Sequence, residues 1–133
     1  MAFLQQAPDI VLGFDVSKDT LTVFEARSSS PSPKPCVIDN TAAAIRRFLK
    51  SLKRVDLAIC EPTGGHEHVL LAELMAANIA CHRVDALKVK AFIRSFGTLA
   101  KTDALDAEAL ARYGKDRWER LSLFQPPDAD RKM

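Results

Sequence analysis

Cysteine is scarce in this chain: 133 residues hold three, at Cys36, Cys60 and Cys81. An odd, widely scattered set argues against a disulfide framework or a zinc site. Each lies in strand-like sequence, so buried free thiols are expected. Long apolar runs are missing as well. None approaches the ~20 residues needed to cross a bilayer, and the opening MAFLQQAPDI lacks the basic start and apolar stretch of a secretion signal. No membrane association and a cytoplasmic location are therefore expected. The net charge is only +2, so charge balance alone does not mark a nucleic-acid binder. No internal repeat is present.

What the sequence does contain is ordinary for one compact domain with a single core: 47% hydrophobic and 27% charged residues. The charge is unevenly placed. Between Arg83 and Lys101 stand Arg83, Lys88, Lys90, Arg94 and Lys101 against the single acid Asp85. Such a stretch is either a solvated helix face or a surface that neutralises phosphates.

Two short β-forming runs, Ile10 to Val16 and Thr20 to Ala26, are separated by Ser17, Lys18 and Asp19 and predict a hairpin. The polar, proline-rich SSSPSPKP reads as a loop, and Cys36 to Ile38 as a third strand. Asn40 or Thr41 can cap a helix to about Leu52, with Ile45, Phe48, Leu49 and Leu52 on one face. Val55 to Glu61 alternates as a strand, and Pro62-Thr63-Gly64-Gly65 breaks it. A helix to about Ala77 follows, ended by a left-handed Asn78, then a strand over Ile79 to Val84. Asp85 caps a helix to about Phe96, Gly97 interrupts, and Asp103 to about Tyr113 forms the last helix. Beyond Gln125 there is no packing pattern. Three strands followed by strand–helix units predict an α/β fold: a mixed five-stranded sheet with helices on both faces. That order is ribonuclease-H-like, and it also opens actin-like ATPase domains.

Four acids stand out. Asp15 interrupts an apolar strand, sharing a face with Val11 and Gly13. It reads either as a strand-end aspartate bonding hairpin amides or as a metal-bound carboxylate. Glu61 ends an apolar strand face just before a glycine-rich turn, where ligands gather in such sheets. A parallel strand next to the first would bring it beside Asp15. Asp103 and Asp106, three apart, share one helix face. They read as cap and first-turn acids or as a pair for a shared cation. Together the four could supply the oxygen ligands of two hard cations. His66 and His68, with no further ligand nearby in sequence, are expected to face solvent.

The segments GFDVSKD, EPTGG and VKAFIRSFGTLAKTDALDAEALARYG resemble the N-terminal domain of the DEDD-type insertion-sequence transposases, over about Ile10 to Gly114. That family includes the pilin-gene inverting recombinases, and its domain is similar to the Holliday-junction resolvase RuvC. The K-T-D-x-x-D-A motif is the most specific part. The resemblance implies a RuvC-like fold over residues 1–125 and an acidic tetrad of Asp15, Glu61, Asp103 and Asp106 that binds Mg²⁺, with Mn²⁺ as substitute. It implies DNA strand cleavage and strand transfer. Residues 126–133 are expected to begin a linker to a C-terminal domain carrying a nucleophilic serine. DNA, a guide RNA encoded by the element and further copies of the full-length protein are the implied partners. His66 stands where members often have Tyr. Ser17, Ser51, Ser95 and Ser122 have no adjacent base, and none is nominated as nucleophile. Lys88, Lys90, Arg94 and Lys101 are the expected nucleic-acid contacts, with Lys101 beside the aspartate pair. The rival readings are a stand-alone Mg²⁺-dependent nuclease of branched DNA, an actin-like ATPase, and a non-catalytic nucleic-acid-binding or dimerisation module.

Overall fold

The computed structural model describes residues 2–28, 33–95 and 103–125. The hairpin forms as expected from β1 (Ile10–Val16) and β2 (Thr20–Arg27). Ser17 closes it, since its amide and its hydroxyl both donate to the Thr20 carbonyl, at 3.0 and 2.8 Å. β3 (Cys36–Asp39) adds antiparallel to β2. The Thr41 hydroxyl caps α1 (Ala42–Lys50) by accepting from the Ala44 amide at 3.2 Å. β4 (Leu57–Cys60) runs parallel beside β1, and β5 (Cys81–Arg83) parallel beside β4. Between and after them come α2 (His68–Ala76), α3 (Ala86–Arg94), α4 (Asp103–Arg117) and a 3-10 turn (Trp118–Arg120). The sheet order is β3-β2-β1-β4-β5.

Alternation along β1 and β4 divides the core into two layers. Val11, Leu57 and Ile59 face Val89, Phe92, Leu110 and Ala111 on the side of α3 and α4. Leu12, Phe14, Ala58 and Cys60 face Ile45, Leu49, Leu70 and Leu74 on the side of α1 and α2. Helices therefore cover both faces, as the sequence order predicts. Each fully buried Leu, Ile or Phe in these layers contributes about 1.5–3 kcal/mol.

Some boundaries differ from the sequence reading. β4 starts at Leu57 rather than Val55. The Asp56 carboxylate accepts from the amides of Asp9 and Ile10, each at 2.9 Å, so the chain there serves the entry to β1. Val55 consequently joins the α1/α2 layer instead of the side of Leu57 and Ile59. α4 runs past Tyr113 to Arg117. Gly114 is not a stop. A Cβ there would lie 2.7 Å from Ile59 and 2.9 Å from Val11, so its hydrogen seats the helix on the sheet. Asn78 takes the expected left-handed conformation (φ 60°). Cys60 and Cys81 are buried, whereas Cys36, expected to be buried, is exposed on the edge strand. Gly97 lies outside the described residues. Among the described residues no helix is long and apolar enough to cross a membrane.

Candidate active site

β1 lies at the centre of the sheet, so Asp15 stands half-buried between the buried Phe14 and Val16. On one side its register partner is Thr22 of β2. On the other, Phe14 pairs with Cys60 of β4, and the register carried one residue further sets Glu61 opposite Asp15. β4 runs parallel beside β1, as expected from the sequence, and adjacent strands are about 4.8 Å apart, so Asp15 and Glu61 follow directly on a paired position at neighbouring strand ends. Glu61 is half-buried and leads straight into the Pro62–Gly65 turn, where Gly64 and Gly65 have φ of 73° and 110°. Only glycine takes those angles without strain.

The third element is α4, and small residues decide where it sits. Gly13 meets it edge-on: a Cβ at Gly13 would lie 2.1 Å from the Ala107 carbonyl oxygen and 2.5 Å from the Ala111 nitrogen. Gly114, further along the helix, lies at the level of Val11. α4 therefore runs antiparallel to β1, and its beginning points towards Asp15. Asp106 immediately precedes Ala107 and is half-buried; Asp103 opens the helix one turn earlier. Four helical residues rise about 6 Å, close to the ~6.6 Å that two strand residues span from Gly13 to Asp15. The backbone at the start of α4 is thus level with Asp15. The side chain of Asp103 lies outside the described residues. Among the described residues no three His, Cys, Asp or Glu side chains stand close enough as placed to hold a metal ion.

Two residues around this corner escape a reading of the sequence. Glu67 is the only buried charged side chain among the described residues. One of its oxygens accepts from the Thr63 amide (3.1 Å), the Thr63 hydroxyl (3.2 Å) and the Gly65 amide (3.1 Å), and the other accepts from Arg83 at 3.3 Å. Burial works to raise its pKa. The amides of Glu67, Thr63 and Gly65 and the Thr63 hydroxyl outweigh that and bring it down to about 2. Asn40 is the second. Its side-chain amide donates to the carbonyls of Ser17 (2.9 Å) and His66 (3.0 Å), joining the loop after Asp15 to the loop after Glu61. An acid at a helix start and an Asn near a cap give no sequence signal of burial or bridging. Only the G-G pair hints that the turn needs bracing.

The basic stretch divides. Lys88 stands in a groove of about 750 Å³ between α3 and the later half of α4, with His82, Arg83, Arg117 and Arg120 and the single acid Asp85. Lys90 and Arg94 are exposed on α3, and Lys101 lies outside the described residues. Arg117 and Arg120 join this groove, although in sequence they stand well apart from the basic stretch. Asp85 caps α3 as expected, its carboxylate accepting from the amides of Leu87 (2.8 Å) and Lys88 (3.3 Å). His66 and His68 face solvent, as expected. Burial, with Cys81 and Glu67 nearby, pushes the Cys60 thiol up to about 12, and burial pushes Cys81 to about 11. Neither is a nucleophile at neutral pH.

The arrangement is that of the ribonuclease-H-like fold, and solved structures of that class superpose on it. RuvC of T. thermophilus in complex with a Holliday junction substrate matches with a TM-score of 0.65 at 12% identity, covering 86% of this chain and 99% of that one. A second Thermus thermophilus RuvC structure matches with a TM-score of 0.62 at 13% identity, with the same coverage. No curated protein matches the chain. The family model of the DEDD IS110 transposases, described as transposase, matches residues 12–132, and the chain belongs to that family. Family membership ties it to nucleic-acid cleavage in general.

The donor chemistry of this corner suits a hard divalent cation. The acids at the carboxyl end of β1 and β4 and at the start of α4 offer oxygen alone, with no thiolate or imidazole among them. They come from three elements, and the Gly13 contact is what allows the third to approach.

Proposed function

We propose that this chain is the Mg²⁺-dependent catalytic domain for DNA strand cleavage and strand transfer in transposition. Asp15, Glu61, Asp103 and Asp106 would hold the ions. The observation that supports this reading is the seat of α4 on Gly13, which brings the start of the K-T-D-x-x-D helix towards the end of β1 that carries Asp15, next to the parallel strand that Glu61 follows. A β-strand aspartate, a strand-end glutamate and an i,i+3 aspartate pair serve the chemistry because each presents a carboxylate from a fixed backbone. When bound, the cations supply charge neutralisation at the phosphate and activation of the attacking oxygen.

The chain's own residues orient and stabilise. The four carboxylates would hold the cations that neutralise the reacting phosphate group, and the strand that carries Asp15 is packed on both faces by buried apolar side chains. Lys88, Lys90, Arg94 and Lys101 contribute positive charge for backbone phosphates, independent of base sequence. DNA as the partner is supported by the family and by the junction-bound RuvC. The attacking group is assigned to a serine of a further domain, reached through a linker that begins near residue 126, with the full-length protein acting as an oligomer. Three observations would be made on one preparation: cleavage of branched and linear DNA with Mg²⁺, with Mn²⁺ and with chelator. The reading expects weak cleavage that needs the cation and no strand transfer by this chain alone. Efficient strand transfer in chelator contradicts it. Robust, specific junction hydrolysis favours the stand-alone nuclease instead.

A further inference from the structure

Glu67 is unusual for a reason that the four proposed ligands do not explain. Burying a carboxylate is costly unless its oxygens are satisfied, and this one lies 2% exposed. The Thr63 amide and hydroxyl and the Gly65 amide, which donate to it, belong to the turn that directly follows Glu61. It stands at the N-cap position of α2, but its side chain makes no capping hydrogen bond to that helix. The turn it gathers contains two consecutive left-handed glycines, Gly64 and Gly65, whose backbone has many alternatives in the absence of a brace. The other carboxylate oxygen is held by Arg83, at the end of β5, whose guanidinium also lies 5.6 Å from the centre of the Phe124 ring. The clamp thus ties the carboxyl ends of β4 and β5 together. Asn40 then ties the same loop to the one after Asp15.

We propose that Glu67, held by Arg83, is a positioning residue: it fixes the Pro62–Gly65 turn and thereby the place of Glu61 opposite Asp15. This rests on the reading of Glu61 as a metal-binding carboxylate. A ligand carboxylate displaced by about an ångström loses much of its value to a cation, so a brace acting through the backbone is felt as metal affinity.

The test is calorimetric titration of the 133-residue chain with Mn²⁺, with and without a short DNA duplex, alongside thermal melts. The variants are Glu67→Gln, Thr63→Val, Glu61→Gln and Leu49→Ala. Glu67→Gln keeps the shape but opposes Arg83 with an amide. It should weaken Mn²⁺ binding on the order of 10–100-fold. Thr63→Val removes only the hydroxyl donor and should weaken binding less, in the same direction; it decides the matter if Glu67→Gln does not fold. Leu49→Ala opens the core on the α1 side and should lower the melting temperature while leaving Mn²⁺ affinity unchanged, so loss of stability alone cannot mimic the effect. If Glu67→Gln and Thr63→Val bind Mn²⁺ like the parent while Glu61→Gln does not, the positioning role is wrong and the metal site stands. If Glu61→Gln binds like the parent, or the parent binds no Mn²⁺ under either condition, both are wrong.

Discussion

Gly13 of β1 and Ala107 of α4 touch backbone to backbone, with room for a hydrogen but not for a methyl group. A Cβ at position 13 would stand 2.1 Å from the Ala107 carbonyl oxygen, and the groups it would meet are main chain, which cannot swing aside. Gly13→Ala should therefore destabilise by about 3 kcal/mol or more, at or above the usual cost of overpacking. It should also move the start of α4 away from Asp15. Gly64→Ala meets nothing within 4 Å and carries only the cost of its positive φ, about 1 kcal/mol. Urea unfolding of the two variants checks this. Equal losses, or a neutral Gly13→Ala, would mean that the helix does not sit where we describe it.

Acid should unfold the chain partly through Glu67. Its pKa is about 2 in the folded protein, against about 4.3 for a free glutamate. A depressed pKa stabilises the fold above the unfolded value, and that stability disappears as pH falls towards the folded one. Two units correspond to roughly 3 kcal/mol, present above about pH 5 and lost progressively towards pH 2. Asp56, whose pKa is lowered by the Ile10 amide, Arg54 and the Asp9 amide against the effect of burial, acts in the same direction. Urea midpoints measured at pH 7, 4 and 3 should fall less steeply for Glu67→Gln than for the parent. Parallel profiles would show that Glu67 is not held as an ionised group.

The strand ends and the late helix that carry the proposed site are legible in the chain because their signals are local. Asp15 breaks an apolar strand, Glu61 precedes a turn with a Gly-Gly pair, and Asp103 and Asp106 are three apart in helix-forming sequence, but it is the family resemblance that joins the four into one set. Strand order follows from the same alternation that divides Leu12 and Phe14 from Val11 and Gly13. What escapes depends on contacts between distant segments. Gly114 looks like a helix stop, because nothing in its neighbours announces that Ile59 and Val11 lie beneath it. Glu67 and Arg83 are sixteen residues apart, and in sequence one is a first-turn acid and the other a member of a basic run. Cys36 sits in β-forming sequence, but a strand at the sheet edge leaves it exposed.

The thiols should separate cleanly. Cys36 is exposed, whereas Cys60 and Cys81 are buried with pKa values pushed up to about 12 and about 11. A colorimetric thiol reagent at pH 8 should modify one cysteine in the native chain and all three in denaturant. Since burial and Glu25 also raise the Cys36 pKa, that one should react more slowly than free cysteine. Rapid native modification of two or three thiols would contradict the layered core.

Nucleic-acid affinity should depend on α3. Changing Lys88, Lys90 and Arg94 together to Ala should weaken binding to unrelated DNA sequences about equally. It should reduce the slope of log affinity against log salt, by about 0.9 for each phosphate that is no longer neutralised. Arg120→Ala tests whether the groove with Lys88 extends that surface and should lower the slope further. Identical slopes for the triple variant and the parent would remove α3 from the interface.

Asp15, Glu61 and the α4 aspartates are held to form one cation site, and the most direct measurement is the melting temperature with and without millimolar Mn²⁺ or Mg²⁺. The scan is repeated with a short DNA duplex. A cation that binds only the folded chain adds RT ln(1 + [L]/Kd), about 2.7 kcal/mol at a hundredfold excess over Kd. For a chain of this size the melting temperature should rise by several degrees, on the order of 10 °C at most. Asp15→Asn and Glu61→Gln should lose most of that rise. Asp85→Asn, which removes only the charge of a helix cap and keeps its accepting oxygen, should lower the starting temperature slightly at most and keep the rise in full. An identical rise in Asp15→Asn and the parent, or none in the parent with or without DNA, would contradict the single cation site.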